Sequence, residues 1–204
     1  MNKTEENDDE ISHASDLHRI VKANEEIKKV IRISSGVNLV ALNAMLIAKR
    51  SGEKSHGFRV VSSELRVFSR KLNEAMNGLG ALVSGLIDDA AGIRKQSRTC
   101  RYLQAAMDQN GDAKALLAPI VSRKEVEMHG TGQAVKKDWD RLLLQLNRAL
   151  QLCEMGGALS RSAKIEAVYG GDMSATLKQV ANQIELTVDD ILSILKSLKI
   201  QLAG

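Results

Sequence analysis

The sequence predicts an all-α protein: long antiparallel coiled-coil hairpins, two in tandem, closing into a pseudo-twofold four-helix bundle. Three observations carry that prediction. Aromatic residues make up only 2% of the 204-residue chain, whereas hydrophobic residues make up 44%. A compact globular core draws much of its buried area from Phe, Tyr and Trp; a core of Ala, Leu, Ile, Val and Met suits helices packed side by side. Pro119 is the single proline, so little in the chain forbids helix. Apolar residues recur at three-four spacing over long stretches, and no Asn-Gly or Asp-Gly turn joins β-branched runs.

The acidic start, Glu5, Glu6, Asp8, Asp9 and Glu10, reads as a frayed, solvated tail over residues 1–11. A seam follows in 12–50: Leu17, Ile20, Asn24, Ile27, Ile31, Ser34, Asn38, Ala41, Met45 and Ala48. Val21, Val30, Val37 and Ala44 widen it into a bundle-type face. Asn38 and Asn43 interrupt the apolar stretch and are expected to set helix register, as buried polar residues do in coiled coils. The run Ser51-Gly52-Glu53-Lys54-Ser55-His56-Gly57 breaks the pattern with turn residues. A second seam then begins at Phe58 and continues through Val61, Leu65, Phe68, Leu72, Ala75, Leu79, Leu82 and Leu86. Two seams about a short turn make a helical hairpin, placed at 12–107.

Asp108-Gln109-Asn110-Gly111-Asp112 is a stop signal. Residues 108–131 are expected to be a connector holding at most a short helix at 113–128, with Pro119 near its start and Gly130-Thr131-Gly132 at its end. The second hairpin occupies 132–204. Its first seam includes Trp139, Leu142, Leu146, Ala149, Cys153, Gly156, Ser160, Ala163 and Ala167. Tyr169-Gly170-Gly171-Asp172 interrupts it, and Leu177, Val180, Ile184, Thr187, Ile191, Ile194 and Leu198 resume it.

The two hairpins register on each other without a gap when shifted by 119 residues. Gly52 meets Gly171, Glu53 meets Asp172, Ser55 meets Ser174, Phe58 meets Leu177 and Leu65 meets Ile184. A turn glycine followed by an acid, in the same phase, points to an internal duplication. A lone hairpin cannot bury both sides of its seam, but two can, as a four-helix bundle. Both turns then lie at one end. Whether the hairpins pair within one chain or two chains make a homodimer is open.

Several chemistries are excluded. The net charge of +4 is mild and the charges are interspersed, so no basic patch for nucleic acid is expected. Cys100 and Cys153 lack a metal-ligand spacing and read as a reduced cytosolic thiol pair. His13, His18, His56 and His129 form no i,i+4 pair with a third carboxylate, so no metal site is expected. Gly170-Gly171 is not followed by the Lys-Ser of a phosphate cradle. No nucleophile motif is recognisable, so no cofactor and no enzymatic activity are expected. The stretch Val37–Ala48 is too short to span a bilayer, and no apolar signal core starts the chain. A soluble, cytoplasmic protein without membrane insertion is the expectation.

Residues 38–66, NLVALNAMLIAKRSGEKSHGFRVVSSELR, resemble the cytoplasmic signalling domain of methyl-accepting chemotaxis proteins. Members of that family typically carry N-x-L-A-L-N-A, then I-E-A-A-R-A-G-E, a short polar turn and G-F-x-V-V-A-x-E-V-R. The second half, KIEAVYGGDMSATLKQVANQI, resembles the same stretch more faintly. The resemblance implies a hairpin tip that does no chemistry. It holds a chemotaxis histidine kinase or its coupling adaptor, with other chemoreceptors as further candidate partners. The family's contact positions match Asn43, Arg50, Glu53, Val60, Val61, Glu64 and Arg66. In the second half the corresponding candidates are Glu166 and Asp172. The chain departs from the family at Ile47, where a glutamate is usual and which Glu166 keeps. It departs again at Tyr169, the counterpart of Arg50, and at Ser35, where a bulky aromatic supports clustering of receptor dimers.

Overall fold

The computed structural model describes the backbone of residues 3–109 and 111–203, and the side chains of 19–109 and 113–202. Among the described residues, four long helices make the fold: α1 (Lys3–Arg50), α2 (His56–Gln109), α3 (Gly111–Val168) and α4 (Ser174–Ala203). A single turn of 3-10 helix joins α1 to α2 at Gly52–Ser55, and another joins α3 to α4 at Gly171–Met173. There is no strand among the described residues. Helices this long owe their stability to an apolar stripe packed against neighbours rather than to propensity alone.

Two segments differ from the sequence-based expectation. The acidic start is already helical from Lys3; carboxylates near a helix N-terminus interact favourably with its dipole. Its side chains lie outside the described residues. The segment expected to be a connector is also helical. The stop at 108–112 separates α2 from α3, but α3 then runs unbroken from Gly111 through Pro119, Gly130 and Gly132. A helical glycine costs only about 1 kcal/mol relative to alanine, which flanking helix formers offset.

The chain divides into two compact units. One comprises Lys22–Ala81 and Leu143–Gly204 and draws on all four helices. Its buried positions repeat with the 119-residue shift. In α1 and α3, Ile27 and Leu146, Val30 and Ala149, Ser34 and Cys153, Ala44 and Ala163, and Ala48 and Ala167 are all buried. In α2 and α4 the same holds for Phe58 and Leu177, Leu65 and Ile184, Leu72 and Ile191, and Leu79 and Leu198. Each large aliphatic residue contributes about 1.5–3 kcal/mol by leaving water. Ser34 and Ser69 form a polar link inside this core: Ser69 Oγ donates to the Ser34 carbonyl at 2.6 Å, and Ser34 Oγ donates to the Ser69 carbonyl at 3.2 Å. Their counterparts, Cys153 and Val188, are apolar and buried.

The centre of the α1 stripe is Val30, Val37 and Ala44, with Ile31, Asn38 and Met45 half-buried beside it. Val21 is exposed. Asn43 is also exposed, contrary to the expected buried register role, because one residue on a helix turns the side chain by about 100° away from the buried Ala44. Asn38 is half-buried, and its Oδ1 accepts a bond from Arg66 Nε at 3.4 Å.

The other unit comprises Met1–Val21 and Leu82–Leu142. Leu86, Cys100, Val121 and Leu142 are buried there, and Trp139 is half-buried. Gln104 Nε2 donates to Glu125 Oε1 at 3.4 Å, tying α2 to α3.

By length and composition, α1 within Arg19–Arg50 contains a stretch long and apolar enough to cross a membrane, longer than the Val37–Ala48 run. Its buried residues, from Ile20 and Ile27 through Ala41 to Ala48, instead form one stripe of a packed helix.

Both cysteines are free and buried. Burial, followed by the charge of Glu154, pushes the Cys153 thiol up from 9.0 to about 12. The thiolate is the reactive form, so Cys153 is expected to resist alkylation at pH 8 in the folded chain and to react on unfolding. Because the folded thiol titrates higher than the unfolded one, its contribution to stability is intact below pH 9 and falls as pH rises from about 9 toward 12. Iodoacetamide labelling followed by mass spectrometry, with and without denaturant, checks the first expectation.

Candidate functional site: the paired hairpin tips

Each tip is built the same way. α1 ends at Arg50, and Gly52 takes a left-handed backbone with φ +74° to start the first 3-10 turn; α3 ends at Val168, and Gly171 does the same with φ +57°. Glycine enters this region without the steric cost other residues meet. The two tips lie together. Ser51 Oγ donates to the carbonyl of Gly170 at 2.7 Å, a bond between counterparts 119 residues apart. A cleft of about 530 Å³ opens beside it, lined by Arg50, Ser51, Glu53, Lys54, Gly171, Asp172 and Met173.

Three sequence-predicted residues, Arg50, Glu53 and Asp172, therefore share one cleft. Asn43 is exposed on α1, seven residues before Arg50 and so on a similar face. Val60, 50% exposed, and the exposed Glu64 share one face of α2 at i,i+4 spacing. Val61 is half-buried beside them. Arg66 is half-buried and engaged with Asn38, which sets it apart from the cleft residues. Glu166 is half-buried, and its carboxylate lies where a β-carbon on Gly57 would stand, at the start of α2. An anion near a helix N-terminus interacts favourably with the helix dipole.

The sequence reading missed Lys54 and Met173, which also line the cleft. Their signal was present: each lies next to a named residue within a turn. The tips differ in charge. α1 carries Lys49 and Arg50 in its last turn, where cations complement the helix dipole, whereas α3 has no basic residue there. Apolar side chains flank both tips in the open: Leu46 and its counterpart Ile165, with Val168 and Tyr169 beyond.

A family model for the methyl-accepting chemotaxis protein signalling domain matches residues 2–131. The chain belongs to that family. The match takes in α1, the first tip, α2 and the start of α3, and stops before the second tip. Methyl-accepting chemotaxis protein CtpH of Pseudomonas aeruginosa is 29% identical over 126 residues, 57% of this chain and 22% of that protein. Methyl-accepting chemotaxis protein McpA of Pseudomonas putida is 29% identical over 121 residues, covering 55% of this chain and 18% of the relative. The aerotaxis receptor of Escherichia coli is 26% identical over 136 residues, covering 66% of this chain and 27% of the receptor. The chain thus matches between 18% and 27% of the length of each. No solved structure is significantly similar.

Proposed function

We propose that the chain is a cytoplasmic, chemoreceptor-like signalling or adaptor module without enzymatic activity, and that its paired tips bind a chemotaxis histidine kinase or its coupling adaptor. The observation that carries this reading is the convergence of Arg50, Glu53, Lys54 and Asp172 on one cleft, with Val60 and Leu46 exposed near by. Interfaces of this kind surround a small apolar patch with a polar rim. Asn43, Val61, Glu64, Arg66 and Glu166 complete the contact or position it.

The repeat of buried positions supports an origin by duplication, with a first hairpin at 12–107 and a more divergent one at 132–204. It also supports a monomer with an internal pseudo-dimer. The buried stripe of α1, from Ile20 to Ala48, packs within the bundle, and on that basis we read no membrane insertion. Interspersed charges argue against nucleic acid as a partner.

Pull-down and titration with a chemotaxis kinase and coupling adaptor test the reading. Arg50→Glu with Glu53→Arg is expected to weaken binding at least about tenfold, equivalent to about 1.4 kcal/mol. Binding that survives the reversal sinks the tip as the contact. A second reading, a regulatory bundle that kept the fold and lost kinase coupling, draws on Tyr169. This residue is 65% exposed where the first tip carries Arg50. Kinase output unchanged by the added chain, together with no adaptor binding, would favour that reading.

A further inference from the structure

One contact breaks the size match between the halves. Gly156 is buried, and a β-carbon on it would lie 2.5 Å from Cζ, 2.7 Å from Cε2 and 2.9 Å from Cε1 of Phe68. Phe68 is 3% exposed, so its ring fills the space over this glycine. The 119-residue shift replaces Gly156 by Val37, which is 1% exposed, and Phe68 by Thr187, which is half-buried. A large ring over no side chain thus corresponds, at the shifted positions, to a small residue, Thr187, and a medium one, Val37.

We propose that Phe68 and Gly156 select the partner of each hairpin: the first fits the second and rejects another copy of itself. If two first hairpins paired in the same geometry, Phe68 would meet Val37 twice and overpack the core. If two second hairpins paired, Gly156 would meet Thr187 twice and leave voids. Only the mixed pairing fills both places. The tether between hairpins already favours pairing within one chain, and the shape match makes that pairing selective when other copies are abundant.

This inference concerns the core and is independent of what the tips bind, so it stands or fails separately from the kinase or adaptor reading. Its test moves the ring to the other hairpin in the full chain. Phe68→Thr with Thr187→Phe makes the mixed pairing poor, with a void at Gly156 and a clash at Val37. The same exchange makes both self-pairings good. Light scattering coupled to size exclusion should find the native chain at the mass of one chain at all concentrations, and the exchanged chain at the mass of two. Adding Val37→Gly and Gly156→Val transposes the whole contact and should restore the single-chain mass, with a melting temperature within about 4 °C of native.

A native chain that is itself dimeric overturns the proposal, as does an exchanged chain that folds and stays a monomer. If the exchanged chain fails to fold, the fully transposed chain decides. Recovery of a folded monomer supports selection by this pair, and no recovery overturns it.

Discussion

Phe58→Ala is expected to cost about 3–5 kcal/mol, the largest loss expected from a single truncation among the described residues. Phe58 is 0% exposed and is the largest of the fully buried side chains among the described residues. It lies at the head of α2, two residues after the helix begins, where the first tip is anchored to the bundle. Removing the ring leaves a cavity that neighbouring helices, held by their own stripes, cannot close. Phe58→Leu is expected to cost under about 1.5 kcal/mol, because hydrophobic replacements of similar shape are tolerated. Leu177 fills the counterpart position and is also 0% exposed. Urea titration followed by circular dichroism measures both. Equal losses for the two variants would show that the ring is not what fills this site.

The second large effect is expected at the turn glycines. Gly52→Val and Gly171→Val should each cost about 1–2 kcal/mol or more, since a left-handed backbone brings Cβ against the following carbonyl and β-branching worsens it. At Gly52 the added β-carbon meets nothing within 4 Å, so the loss there comes from the backbone alone. At Gly171 it would approach Lys54 Cδ at 3.2 Å, the middle of a flexible chain that can yield. Gly52→Asn is expected to cost much less, because asparagine enters the left-handed region more readily. Thermal melts separate these cases. Should Gly52→Val and Gly52→Asn melt together, conformational strain is not what the glycine relieves. The two valine variants are not expected to add simply, since the tips touch through Ser51 and Gly170.

Much of this architecture was legible because helix periodicity is local information. Three-four spacing located the stripes of α1, α2 and α4, and the turn signals at Ser51–Gly57 and Tyr169–Asp172 fall where the chain reverses. The candidate site was legible in part. Arg50, Glu53 and Asp172 were named from a motif and its repeat, and they share the cleft. Arg66 was named by the same reasoning, yet it is engaged with Asn38. A motif gives the order of residues along the chain, but not which of them a neighbouring side chain will hold. The continuity of α3 through Pro119 and past Gly130–Gly132 was missed for a related reason. Proline and glycine are local breakers, whereas the continuity of α3 is a balance summed over the whole helix.

The sequence by itself determined that the chain is helical, where it turns, and that its halves share one register, because each depends on residues a few positions apart. Only the tertiary structure decided which residues of each broad apolar face are central and which, like Asn43, turn outward. It also decided that Ser51 reaches Gly170 and that Phe68 closes over Gly156. Those outcomes depend on close packing between helices distant in sequence, where a change of one side chain's volume is felt at once.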